Sequence, residues 1–121
     1  MDAIQAAQAE VTKCYEFGNT IEDLRKVTEN SRTALQARLE TLKVQMPRIL
    51  VAEELGEAAE DEVKTLLEEQ AEVEKALALI PLKLKGLKQR EAENNGQHAK
   101  ALNRLHRLKA AKAFDVAVAK L

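Results

Sequence analysis

Between Leu66 and Leu87 the chain places Leu66, Gln70, Val73, Leu77, Ile80, Leu84 and Leu87 at alternating steps of four and three. Two turns of an α-helix advance about 7.2 residues, so such a row stays on one helix face and calls for a second helix to cover it. Leu55, Ala59 and Val63 extend the stripe upstream. An interaction seam is therefore expected at Leu66, Val73, Leu77, Ile80, Leu84 and Leu87, with Gln70 as its polar member.

Composition supports helix-on-helix packing over a round core. Of 121 residues 45% are hydrophobic and 32% charged, dominated by Ala, Leu, Glu and Lys, while Tyr15, Phe17 and Phe114 are the whole aromatic complement. Leu and Ala stripes tolerate that shortage, because each helix needs only a narrow apolar face. The length suits one unit, read as a single helical domain over residues 1–121.

Punctuation divides this domain. Ile4, Ala7, Val11 and Tyr15 mark an amphipathic helix over about 2–17 that Gly18 ends. Asn19 and Thr20, followed three residues later by Glu22 and Asp23, resemble capping boxes for a helix over about 21–46. Its stripe runs through Leu24, Val27, Leu35, Leu39, Leu42 and Met46, mixing seven- and eleven-residue spacing, and Pro47 closes it. Residues 46–56 read as the bend of a hairpin. A helix over about 53–93 follows, kinked at Pro81 because the leucine register continues past that proline. Asn94-Asn95-Gly96 stops it, and a last helix covers about 97–120. The fold expected is all-α: an elongated antiparallel helical hairpin, or a bundle of three to four helices, with coiled-coil-like seams.

A formal net charge of −1 conceals a division. Residues 53–74 carry ten acidic side chains against Lys64, and residues 83–112 carry nine basic ones against Glu91 and Glu93. The blocks could align by folding the last helix back on the acidic segment, or one could face a partner. Lys100, Arg104 and Arg107 form a compact basic face at i, i+4 and i+7. Beyond Ala110 the chain is almost apolar, and Phe114, Val116, Val118 and Leu121 form a tail expected to dock on its own bundle or on a partner.

Chemistry-bearing motifs are sparse. His98 and His106 are eight residues apart, and Asn95 and Asn103 stand where a Glu-x-x-His metal motif needs glutamate. Cys14 has only Lys13 beside it, off its helix face; Ser31 lies mid-helix; Gly18, Gly56, Gly86 and Gly96 form no phosphate-binding loop. These observations point away from an enzyme, and no cofactor or metal is implied.

No stretch reaches the roughly 18 apolar residues of a membrane span, and residues 1–10 lack a secretory pattern. A cytoplasmic, reducing setting without membrane partners is expected. The expected function is protein–protein interaction, by self-assembly or as an adaptor or chaperone-like protein. The alternative is a nucleic-acid-binding accessory protein that uses the basic face of residues 83–112, including Lys100, Arg104 and Arg107.

Overall fold

Asp2 begins the first helix. Its carboxylate Oδ1 accepts from the Gln5 backbone N–H at 2.8 Å, and the Gln5 side-chain Oε1 accepts from the Asp2 N–H at 3.2 Å. This reciprocal capping box occupies donors that the first helical turn cannot bond internally. From it α1 runs Ala3–Glu54 without interruption. The computed structural model describes residues 2–121.

The breaks expected at Gly18–Thr20 and at Pro47 are not taken. Thr20 does not cap a new helix: its hydroxyl donates to the Glu16 carbonyl one turn back, as Thr12, Thr33, Thr41 and Thr65 donate to their own i−4 carbonyls. Pro47 removes one backbone donor, but its ring lies exposed while Met46 and Ile49 on either side turn inward.

The bend comes later, at Leu55–Ala59. Gly56 has φ +73°, the left-handed conformation that glycine adopts without strain. Its N–H donates to the Glu53 carbonyl at 3.0 Å and the Glu57 N–H to the Ala52 carbonyl at 2.8 Å, a Schellman closure of α1. Then α2 runs Glu60–Ala119, with Glu60, Asp61 and Glu62 in its first turn, where negative charge suits the helix dipole. It passes through Pro81 and through Asn94-Asn95-Gly96, so the stop and the separate last helix expected there are absent. The chain thus supplies two long helices packed as a hairpin, not three or four, and no strand occurs among the described residues.

Inward residues recur on both helices at alternating steps of three and four. On α1 the row includes Ile4, Ala7, Val11, Cys14, Gly18 and Ile21, then Arg25, Thr28 and Arg32, then Leu35, Leu39, Leu42, Met46 and Ile49, all buried or half-buried. Leu24 and Val27 are exposed, as is Tyr15, so the mixed spacing read through them gives way to a uniform seven-residue repeat. The reason is mechanical: a continuous helix keyed inward at both ends cannot rotate locally to bury three residues. Arginine's long apolar stem tolerates such a position while its head reaches water.

The helices share two compact units. The terminal unit joins the residues before Arg25 to Leu87–Leu121 and buries Ala7, Ile21, Asn94, Ala101 and Leu105. The turn unit, Arg25–Gly86, buries Leu42, Val63, Val73 and Ile80, with Leu42 wholly excluded from solvent.

Candidate interaction surface

The seam residues face inward. Val73 and Ile80 are buried, and Leu66, Leu77, Leu84 and Leu87 half-buried. Their row is occupied with holding α2 against α1, which leaves the outward rows for any other contact.

In the terminal unit, one such row lies one residue ahead of each seam position. It carries Lys100, Arg104 and Arg107, all exposed, and continues at the same spacing through Ala111, Phe114, Val118 and Leu121. Lys100 and Arg104 rim a shallow groove completed by Glu10, Cys14, Gln97 and Ala101. Closer to the middle of α2, the Arg90 guanidinium lies 5.3 Å from the centre of the Phe17 ring and 3.7 Å from a Glu93 carboxylate oxygen. The ring and the carboxylate hold that cation at the flank of the seam.

The tail is helical through Ala119, yet every residue from Lys109 to Leu121 is exposed. Phe114 is 68% exposed, and Val116, Val118 and Leu121 are exposed with it. The seam positions in this stretch are Lys112 and Asp115, which line a groove with Asp2, Ala3 and Ile4 at the start of α1. Phe114, Val118 and Leu121 lie on another row, so of the two dockings expected for the tail, on its own bundle or on a partner, the first does not bury these side chains.

In the turn unit the corresponding row is acidic: Glu62, Thr65, Glu69 and Glu72. Arg38 of α1 grips Glu69 with two bonds, Nε to Oε1 at 2.6 Å and Nη2 to Oε2 at 2.8 Å. Those bonds, and the guanidinium charge, hold the Glu69 carboxyl below the ordinary carboxylate range and raise Arg38. Glu62, Glu68 and Glu72 are exposed and make no ion pair among the described residues. Toward the bend, Pro47, Val51, Ala52 and Leu55 line a groove bordered by Arg48 and Glu57, in which Val51 and Leu55 are largely exposed.

This arrangement changes the reading of charge. Most of the acidic block and all of the basic block lie in tandem along α2, so the basic segment does not fold back on the acidic one.

Asn94 has a part that sequence reading missed. Expected as a helix stop, it is buried, and its Nδ2 donates to the Cys14 carbonyl at 2.9 Å, opposite Gly18. The signal lay in its spacing, since Asn94 stands seven residues after Leu87. Among the described residues no three His, Cys, Asp or Glu side chains are grouped to hold a metal ion, and no helix is long and apolar enough to cross a membrane. Comparison with protein-family models, curated proteins and solved structures yields no match.

Proposed function

We propose that this chain is a protein–protein interaction module, a coiled-coil-like hairpin that spends its seam on its own fold and offers its outward rows to a protein partner. One observation carries the reading: the exposed row in which Lys100, Arg104 and Arg107 lead into Phe114, Val118 and Leu121. Apolar side chains held in a row by a helix, with cations continuing the row, suit a helical partner whose own row is apolar and acidic.

The test is site-specific photocrosslinking in the producing cells. Phe114→p-benzoylphenylalanine should give discrete protein adducts, and the same substitution at exposed Ala71 should not. Adducts confined to lipid or nucleic acid, or none at all, would overturn the reading.

The exposure of Lys100, Arg104 and Arg107 also supports the alternative of a nucleic-acid-binding accessory protein acting through residues 83–112. That reading requires binding that falls steeply with salt and weakens when the three become Ala. A flat titration at low salt would remove it.

A further inference from the structure

The outward surfaces of the two units complement each other in order as well as in charge. In the terminal unit, moving toward the C-terminus, the row passes from Lys100, Arg104 and Arg107 to an apolar ridge headed by Phe114. In the turn unit, Glu72, Glu68 and Glu62 of α2 run toward the bend, where Leu55 and Val51 of α1 line a groove that Arg48 and Glu57 also border. Set in opposite chain directions, the two surfaces meet cation to carboxylate and then apolar to apolar.

Resting on the interaction reading above, we infer that the partner is a second copy of this chain. The turn unit of one copy takes the terminal unit of the other, with their α2 helices antiparallel. The charged parts of both surfaces lie on the continuous helix α2, so these cations and carboxylates cannot meet one another within a chain. Two copies can, because each brings both halves of the contact and a twofold pair makes it twice, closing the assembly. A parallel arrangement would set acid on acid and base on base, so the charges fix the direction. The net charge of −1 leaves little overall repulsion between copies. The pair would bring four helices together, where one chain supplies two.

The experiment is light scattering on the purified full chain at low and physiological salt, with two charge-reversed variants. One carries Lys100→Glu, Arg104→Glu and Arg107→Glu; the other carries Glu62→Lys, Glu68→Lys and Glu72→Lys, sparing Glu69 because Arg38 holds it. All six positions are exposed, and circular dichroism checks that helicity is kept.

The unaltered chain should scatter at twice its 13.4 kDa mass, and each variant alone should fall to the single mass. An equimolar mixture of the variants should return to the doubled mass, because reversal on both sides restores every pairing. A wild-type chain of single mass at low salt, a reversed variant that stays doubled, or a mixture that fails to recover would each overturn the inference. So would a single-mass chain that sediments with phosphatidylserine vesicles. A monomeric chain that still crosslinks a different protein through position 114 would sink self-association while leaving the interaction reading intact.

Discussion

Asn94 is buried on the seam of α2, where an amide without partners would cost about 1–3 kcal/mol. The Cys14 carbonyl accepts its N–H, and Gly18 leaves it room: a Cβ on Gly18 would stand 3.2 Å from Nδ2. A bonded polar pair of this kind is satisfied in one alignment of two helices and left unpaired in others, so it selects register. Glycine otherwise weakens a helix, and at Gly86 and Gly96 an added Cβ would meet nothing within 4 Å. Gly86→Ala and Gly96→Ala should each stabilise the fold by about 0.5–1 kcal/mol in urea unfolding. Gly18→Ala should gain less than either, because Asn94 must move; an equal gain would show that Asn94 is not held. Glu69 gives a pH signature. Its folded pKa is lowered, chiefly by the bonds from Arg38, so its contribution is present above the ordinary carboxylate value and is lost as pH falls through the lowered one. Glu69→Gln should therefore melt below the wild type at neutral pH, and the gap should close on acidification. A gap that does not change with pH would contradict this linkage.

The bend joins a complete C-terminal closure to an incomplete start. Gly56 and its two bonds finish α1, whereas α2 begins from Ala59, whose carbonyl accepts from the Glu62 and Val63 N–H groups but whose side chain can accept nothing. Ala59→Ser supplies the missing acceptor and should add about 0.5–1 kcal/mol, read as a raised melting temperature; no gain would mean that the first turn of α2 is already satisfied. Gly56→Ala should destabilise by about 1–2 kcal/mol, because the left-handed conformation strains a side chain; an unchanged melt would mean that the bend can relax into another turn. Along α1, Arg25, Thr28 and Arg32 occupy inward positions while Leu24 and Val27 face water. Residue-by-residue hydropathy favours the opposite assignment. It loses because the repeat is set jointly by the apolar residues on either side, and a rigid helix averages over them.

For the protein as a whole, the apolar tail and the charged rows separate folding from interaction. Removing residues 110–121 takes away exposed side chains and uncovers only Ile4 beside Ala111, Lys112 and Asp115, so global stability should change by less than about 1 kcal/mol in denaturant unfolding. A larger loss would show that the tail supports the fold, and self-association should weaken in the same truncation. Helicity, the α2 seam and the division into an acidic and a basic block were legible from residue order alone, because propensity and periodicity are local and add up along a window; that the blocks lie on one helix was not. The candidate surface was legible as its members: Lys100, Arg104 and Arg107 as a basic face, and Phe114, Val116, Val118 and Leu121 as an apolar tail. Their union into one row follows from the shared three-and-four spacing along the C-terminal part of α2. Whether the chain stops at Gly18, Pro47 or Asn94-Asn95-Gly96 was not legible, because each local signal costs only about 1–3 kcal/mol. Burial of the flanking seam residues against the opposite helix outweighs that cost, and this energy belongs to residues far apart in sequence, such as Cys14 and Asn94. Local chemistry determined that the chain would be helical; packing across the hairpin decided where the helices end and which side chains remain outside.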